Sequence, residues 1–358
     1  MERRFEGKKV VIIGASGGLG KSYARAFINE GASVLLCGRN QEKLQKIAQS
    51  LAGEASVAQV DLTKAESIEN LASHASNWSK TIDIVVNATG FDVRKSLDDH
   101  QLEEINRSVN LNLVGAILIS KAFLPYMGEN KNSTIVHMGG FADGRLAFPY
   151  YSVDVATRSG IYSFVESMNR ELRQEGSEAR LTYFCPNSAD TAAERPYHSV
   201  WREMGVAISP TEQVAAELLK AIERKQNTYL MGGIAVRFFA KLNGLFPKVA
   251  DIVMLNKYSR ILKKYFGSTD SEIITETQPK KHKFQKIALS MIITSFLLYV
   301  FLLAVPFLPI SVPFKVILTS LMVGSSEVLF WSGGLLYGKE LLTKKIKKLP
   351  FCNCFSRS

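Results

Sequence analysis

The chain has 358 residues, 46% of them hydrophobic, which excludes a disordered or fibrous protein and is enough for one large α/β domain with an appendage. The formal net charge of +11 is uneven, since residues 1–230 hold 26 basic against 27 acidic residues and residues 231–358 hold 18 against 6. Because the predicted folded domain is not basic, no nucleic-acid partner is expected, and the excess charge favours a membrane surface.

The first predicted elements are a strand, a glycine-rich turn and a helix. The sequence VVIIGASGGLG begins with an apolar run at residues 10–13, which is typical of a parallel strand buried on both faces. Gly14, Gly18 and Gly20 then leave room for a tight turn and for a pyrophosphate at the N-terminus of the following helix. A merely flexible loop is the alternative, and the strand and helix on either side favour the phosphate turn.

Strands and helices alternate from there to residue 230. The predicted strands are SVLLCGR, SVAQVDLT, IDIVVNATG, STIVHMGG and ARLTYFCP, and the longest helices lie at 102–127 and 155–175. This alternation predicts an α/β fold with a doubly wound parallel sheet, Rossmann-like, and assigns residues 1–230 to a dinucleotide-binding domain. The chain enters the first strand without a signal-type apolar region, so we expect this domain in the cytoplasm.

Arg39 stands at the end of the second predicted strand, where dinucleotide-binding folds distinguish the two nicotinamide cofactors. An acidic residue there accepts a hydrogen bond from a free ribose 2′-hydroxyl, whereas a guanidinium pairs with a 2′-phosphate. Arg39 therefore favours NADP(H) over NAD(H). The alternative is an arginine that is simply solvated.

The last third of the chain predicts contact with a membrane. Residues 231–266 mix aromatic, aliphatic and basic residues with a single acid, which indicates a basic amphipathic, membrane-facing region; a substrate lid or a dimer helix is the alternative. A polar and basic linker follows at 267–286. The domain at 287–338 then holds two apolar stretches, 287–308 and 316–338, each long enough to cross a bilayer as part of a helical hairpin.

Basic residues flank the outer ends of this hairpin and continue into a tail at 339–358. The positive-inside rule therefore predicts a membrane protein with two spans and with both termini in the cytoplasm. Glu327 falls in the middle of the second span, where we expect it to be protonated or paired with a nearby serine or another protomer; a transport role is a weaker alternative to a simple anchor. The four cysteines show neither disulfide nor zinc-site spacing, so no metal site is expected.

Four motifs, GASGGLG, DLT, VNATG and VNLNLVG, occur in this order, and residues 7–230 resemble the short-chain dehydrogenase/reductase family. The resemblance implies an NAD(P)-dependent oxidoreductase that pairs with a second copy through its long helices. It also places Asn110 in the catalytic set. The implied cofactor contacts are Gly14, Ser16, Gly18, Leu19, Gly20, Asp61, Leu62, Asn87, Ala88, Pro186 and Thr191.

The catalytic end departs from the family pattern. Gly139 and Gly140 follow the fifth strand, where the family has serines. Registering the next helix on the family puts Asp154 at the tyrosine position and Arg158 at the lysine position, and an aspartate with its pKa lowered by that arginine describes an inactive enzyme. In the alternatives, Tyr151 donates the proton with Arg158 on the same helix face, or Tyr151 keeps the family position and no lysine is present.

These features predict two functions. The first is a membrane-tethered, NADP(H)-dependent reductase acting on a carbonyl of a lipid-like or other apolar substrate that arrives across residues 231–266. The second is a catalytically impaired relative that binds NADP(H) as a sensor or scaffold. The two differ in whether turnover accompanies cofactor binding, which the fold alone does not decide.

Overall fold

A computed structural model describes residues 3–127, 133–140, 146–232, 234–267 and 283–346. The chain forms two compact units, residues 1–271 and residues 272–358. The described strands all lie in the first unit, and the described part of the second unit is helical.

Seven parallel strands form the central sheet of the first unit, in the order β3-β2-β1-β4-β5-β6-β9. The order reverses between β1 and β4, and a crevice therefore opens at the carboxyl ends of these two neighbours. The predicted doubly wound parallel sheet is confirmed. The strands are β1 Lys9–Ile13, β2 Ser33–Gly38, β3 Ala55–Gln59, β4 Ile84–Asn87, β5 Thr134–Met138, β6 Arg180–Cys185 and β9 Thr228–Leu230, and β7 Ser188–Ala189 pairs separately with β8 Ile208–Ser209.

Helices cover both faces of the sheet because successive side chains of each strand point to opposite faces. Val10 and Ile12 of β1 pack against helices α1, α2 and α8, whereas Val11 and Ile13 pack against α3, α5 and α6. The helices are α1 Gly18–Asn29, α2 Gln41–Gln49, α3 Ala65–Trp78, α4 Leu102–Ser108, α5 Gly115–Phe123, α6 Ser152–Gln174, α7 His198–Met204 and α8 Thr211–Glu223, with a π-helical turn at Val109–Val114 between α4 and α5.

Three helices follow the last strand and belong to the first unit: α9 Ile234–Leu245, α10 Pro247–Val253 and α11 Ser259–Phe266. Met254 and Phe266 of this segment are buried with Tyr151 and Trp201 in an apolar cluster separate from the two sheet faces. The segment is therefore folded onto the first unit through one face, while its other face is exposed.

The second unit holds α12 Lys283–Leu302 and α13 Val312–Ile346, joined through a 3-10 turn at Val305–Phe307. Within the apolar stretch at 287–308, α12 ends at Leu302, and the two prolines that follow, Pro306 and Pro309, lack the backbone donor that a helix requires. The second helix begins before residue 316, since a proline is tolerated in a first helical turn.

Glu327 is held by two hydrogen bonds within the second unit. The hydroxyl of Tyr299 donates to its carboxylate over 2.6 Å and the indole N–H of Trp331 donates over 2.9 Å. These donors, rather than the neighbouring serines, hold the carboxylate, and the hydroxyl of Ser326 bonds to the carbonyl oxygen of Val323 instead.

Two described ranges are helical, long and apolar enough to cross a membrane by length and composition alone: residues 102–126 and residues 312–332. The first is a core helix of the first unit, since Ala116, Ile119 and Phe123 are buried against the sheet. The second overlaps the predicted span at 316–338, and residues 290–302 of α12 form a shorter apolar helix. Length and composition are by themselves weak evidence for a membrane span.

Candidate active site

The glycine-rich turn lies at the switch point of the sheet and is packed too closely to carry side chains. Gly14 has a φ of +85°, which glycine adopts without strain. A Cβ atom on Gly20 would lie 2.3 Å from the carbonyl oxygen of Gly14, and one on Gly18 would lie 2.7 Å from Cγ2 of Thr191. The turn leads directly into α1, so the backbone N–H groups of a helix N-terminus face the crevice, as a pyrophosphate requires.

The adenosine half of the cleft has a volume of about 260 Å³ and is lined by the predicted residues Gly14, Ser16, Arg39, Asp61, Leu62 and Ala88, among others. Arg39 is exposed at the rim. The carboxylate of Asp61 accepts hydrogen bonds from the hydroxyl and the backbone N–H of Thr63, at 2.8 and 3.1 Å, and these bonds lower the pKa of Asp61. The rim therefore carries a fixed carboxylate and an exposed guanidinium.

The buried side chain of Asn87 stabilises the turn after β4 through hydrogen bonds. Its side-chain oxygen accepts from the hydroxyl of Thr89 at 2.5 Å, and its amide lies 3.4 Å from Nδ1 of His137, whose other ring nitrogen lies 2.8 Å from the hydroxyl of Ser120. Burial lowers the pKa of His137 to about 3, so this histidine is a neutral core residue. These hydrogen-bonded side chains hold the backbone of Ala88 close to the glycine turn. A Cβ atom on Gly14 would lie only 3.1 Å from the carbonyl group of Ala88.

The second half of the cleft has a volume of about 340 Å³ and is lined on one side by Gly18, Leu19, Pro186, Ser188 and Thr191. The hydroxyl of Ser188 is buried and has no hydrogen-bond partner within the described part of the chain. A buried polar atom of this kind is costly unless a ligand or water satisfies it. Together with the glycine turn, this side has the shape and the donor set that fit a nicotinamide dinucleotide.

Asp154 and Arg158 occupy the opposite side of this half, one helical turn apart on α6. Nε of Arg158 lies 3.2 Å from Oδ1 of Asp154, and Nη1 donates to the carbonyl oxygen of Met138 at 2.9 Å. A Cβ on Gly140 would lie 3.1 Å from Cγ of Arg158, and one on Gly90 would lie 2.7 Å from its Nη2. The arginine therefore fills the space that a serine side chain at position 140 requires.

The expected direction of the Asp154 pKa is wrong. Burial raises the pKa of Asp154, and the nearby Asp92 raises it further, which together outweigh the lowering effect of Arg158. The side chain of Asp154 is only 14% exposed, so the loss of hydration dominates. The Asp154 carboxyl consequently keeps its proton to a higher pH than an exposed aspartate does.

Tyr151 also lines the cleft, immediately before the start of α6. Its ring packs edge-on against Phe266, with centroids 5.8 Å apart, and lies 6.2 Å from the ring of Trp201. Its hydroxyl is buried, and burial raises the pKa of this phenol. Arg158 is engaged by Asp154 and Met138.

The cation beside Tyr151 is Arg94, which sequence reasoning missed. Its guanidinium lies 5.6 Å from the centroid of Tyr151, 4.2 Å from Tyr197 and 5.2 Å from Trp201. The side chain is 7% exposed and forms ion pairs with Asp92, at 2.6 Å, and with Glu194. These contacts join the loop after β4 to the segment before α7 across the mouth of the cleft. No motif marks this arginine in the sequence.

The structure buries Asn112 rather than the predicted Asn110. Asn110 is exposed on the π-helical turn. The side chain of Asn112 accepts from the backbone N–H of Phe91 and donates to its carbonyl oxygen, both at 2.8 Å, and also donates to the hydroxyl of Thr157 at 3.2 Å. Two residues that stand two apart on a helix face different directions, so only one of the two asparagines reaches inward.

A parallel sheet with a glycine turn at its switch point and a two-part cleft along its carboxyl edge defines an α/β protein that binds a dinucleotide. The chain belongs to the short chain dehydrogenase family, which matches it over residues 8–199. The predicted family is thereby confirmed, and with it a fold that binds NAD(P) and an oxidoreductase of this type.

Relatives and solved structures agree with this assignment. An uncharacterized oxidoreductase of Staphylococcus aureus strain MRSA252 is 29% identical over 197 residues, covering 55% of this chain and 84% of the relative. One from Staphylococcus epidermidis strain RP62A is 29% identical over 184 residues, covering 51% and 79%.

A short chain dehydrogenase/reductase from Burkholderia phymatum, solved in complex with NAD, superposes with a TM-score of 0.62 at 20% identity, covering 70% of this chain and 96% of that structure. A Serratia marcescens member of the family gives 0.57 at 18% identity, covering 63% and 96%. At these identities the two structures show the fold alone.

Substituting alanine for Gly20 is expected to weaken dinucleotide binding roughly tenfold or more, because the new Cβ forces the carbonyl of Gly14 out of the turn. Isothermal titration of the Gly20→Ala variant with NADP+ measures the effect. The matched control is Gly115→Ala, where the Cβ would lie 3.4 Å from its nearest neighbour. An unchanged dissociation constant in a folded Gly20→Ala protein would show that this turn does not hold the cofactor.

Replacing Arg94 by methionine is expected to lower the free energy of unfolding by roughly 3–5 kcal/mol, since it leaves two carboxylates facing each other without their shared cation. Urea denaturation followed by tryptophan fluorescence measures the change. Arg202→Met, at an exposed arginine of α7, serves as the control and is expected to stay within about 0.5 kcal/mol of the parent. Equal stabilities for the two variants would contradict this role.

Proposed function

We propose that the chain is a membrane-tethered, NADP(H)-dependent oxidoreductase that reduces the carbonyl group of an apolar, lipid-like substrate. The observation that carries the proposal is the two-part cleft, in which a cofactor cradle on one side faces an aromatic wall on the other. The wall contains Tyr151 and Trp201, which are part of the apolar cluster that also holds Phe266. Such a wall suits an apolar chain better than a small polar metabolite.

The preference for NADP(H) rests on Arg39. Its exposed guanidinium stands at the adenosine end of the cleft, where Asp61 is already bonded to Thr63. A 2′-phosphate offers oxygens with which the fork-shaped guanidinium donor pairs well.

Proton transfer is assigned to Asp154. When bound, the cofactor supplies the hydride, and the substrate oxygen then takes a proton from the protein. Asp154 lines the cleft, burial raises its pKa so that it gives up a proton at a higher pH than an exposed aspartate does, and Arg158 beside it stabilises the carboxylate that remains after the proton has left. Asn112 holds the loop after β4 in place through two hydrogen bonds to the backbone of Phe91.

The membrane tether rests on the apolar helices of the second unit. Residues 312–332 are long and apolar enough to cross a bilayer, and the basic residues on either side of the hairpin favour cytoplasmic termini. The glutamate in this helix is bonded to a tyrosine and a tryptophan, which lowers the cost of placing it in an apolar environment.

A second candidate is a protein that binds NADP(H) without turnover, as a sensor or scaffold. The observation in its favour is the ion pair of Asp154 with Arg158 at the family's tyrosine and lysine positions, combined with the buried hydroxyl of Tyr151. It requires cofactor binding with no oxidation of NADPH by any carbonyl substrate.

Arg39→Gln is expected to weaken NADPH binding roughly 10- to 100-fold while leaving NADH binding unchanged, because only the 2′-phosphate loses a charged partner. Fluorescence titration with both cofactors gives the ratio of dissociation constants. Lys43→Gln, an exposed residue on α2, is the control and should alter neither value. If binding of NADPH and of NADH weakens equally, Arg39 does not contact the 2′-phosphate.

Asp154→Asn is expected to reduce NADPH oxidation with long-chain ketones and aldehydes by roughly 100-fold or more without weakening NADPH binding, since the amide has no proton to give. In the unchanged protein, turnover is expected to fall as the pH rises through the raised pKa of Asp154, because the protonated acid is the active form. A stopped assay across the pH range measures both.

Tyr151→Phe is the comparison variant for this experiment and is expected to retain turnover. Loss of turnover in Tyr151→Phe but not in Asp154→Asn would move the proton donor to Tyr151. If the unchanged protein binds NADPH but shows no turnover, the reductase proposal is wrong and the second candidate, a protein that binds NADP(H) without catalysis, takes its place.

A further inference from the structure

We infer that the exposed face of helices α9–α11 docks onto an anionic lipid surface. The inference rests on the membrane tether of the proposed function and adds a second contact, made by the folded unit itself. The docking face consists of the outward side chains of residues 236–265, and the inward side chains of the same segment pack against the aromatic wall of the cleft.

Large apolar side chains stand out from the docking face. Phe238 is 66% exposed, Leu245 74%, Phe246 58% and Leu255 60%. Phe238 and Leu245 are seven residues apart on α9 and therefore share one side of that helix. A folded protein rarely leaves so many large apolar side chains in water on adjoining helices, which marks the face as a contact surface.

Basic residues are interleaved with these apolar side chains. The segment holds Arg237, Lys241, Lys248, Lys257, Arg260, Lys263 and Lys264 against a single acid, Asp251. Lys264 is bonded to Glu203 at 2.9 Å. Lys241 stands between Phe238 and Leu245 on the same side of α9, so its stem can lie along the apolar surface while its ammonium group reaches headgroup phosphates.

An anionic bilayer is the occupant that suits both properties. Its headgroups match the excess positive charge and its acyl boundary accepts the phenylalanine and leucine side chains. A second copy of the same face would bring like charges together, which opposes association. The chain also continues from this segment to the apolar helices α12 and α13, which places the docking face and the tether in neighbouring parts of one sequence.

Docking on this face has a consequence for the substrate. Phe266 packs edge-on against Tyr151, and Tyr258 packs edge-on against Phe148, with centroids 5.8 and 6.0 Å apart. The aromatic wall is thus separated from the lipid by the thickness of one helix, about 10 Å. A lipid whose carbonyl lies near the headgroup region needs only a short displacement to reach the cleft.

The test uses the full chain with Cys352→Ser and Cys354→Ser, which leaves Cys37 and Cys185, both buried. An environment-sensitive dye is attached at Phe246→Cys, in nanodiscs of phosphatidylcholine with or without phosphatidylserine, and brominated lipids serve as quenchers. We expect quenching at position 246 only in discs that contain phosphatidylserine, with reversal by salt. The control site is Gln45→Cys on α2, next to the opposite edge strand, where no quenching is expected.

Charge variants sharpen the result. Each of Lys241→Gln and Lys248→Gln is expected to shift the docked-to-undocked ratio roughly fivefold toward the undocked state, whereas Lys43→Gln and Lys46→Gln on α2 leave it unchanged. The inference is overturned if brominated lipids quench the dye at position 246 no more than the dye at position 45. It is also overturned if quenching at position 246 requires two chains per disc. Retention of the chain in discs through a salt wash reports the tether separately, so failure of docking and failure of the proposed tether are distinguishable.

Discussion

The arrangement of the cleft depends on the buried guanidinium of Arg158. It reaches from α6 to the ends of β4 and β5, donates to the carbonyl of Met138 and takes the volume that side chains at positions 90 and 140 would require. A cation this deep is tolerated because Asp154 and a carbonyl oxygen both compensate it. Gly90, Gly140 and Asp154 are therefore linked through their packing against this one arginine.

Acidic groups outnumber basic groups around this guanidinium. The described lining of this half of the cleft holds three carboxyl groups, Asp92, Asp154 and Glu194, against two guanidinium groups, Arg94 and Arg158. The carboxyl groups thus outnumber the guanidinium groups by one in this part of the cleft. Arg94 pairs with Asp92 and Glu194, and Asp154 is the deeply buried carboxyl whose pKa is raised.

The sheet and the glycine turn were predictable because each depends on local spacing: an apolar run, then Gly14 and Gly20 at the start of a helix. Arg94 was not, because Glu194, Tyr151 and Trp201 come close to it only through the fold, and no motif links them to it. The choice of Asn112 over Asn110 depends on which side of a π-helical turn faces inward. The pKa of Asp154 was predicted in the wrong direction because the neighbouring arginine is visible in the sequence and burial is not.

The two halves of the cleft come from different parts of the chain, and the family match covers only one of them in full. The cofactor half is built from residues within the stretch that matches the family, whereas the aromatic wall is completed by Trp201 and Phe266 beyond it. The family match therefore covers the cofactor half of the cleft but not the end of the aromatic wall. The segment that carries Phe266 also turns an apolar and basic face outward, so one short stretch of chain contributes to the aromatic wall on its inner side and to the surface of the folded unit on its outer side.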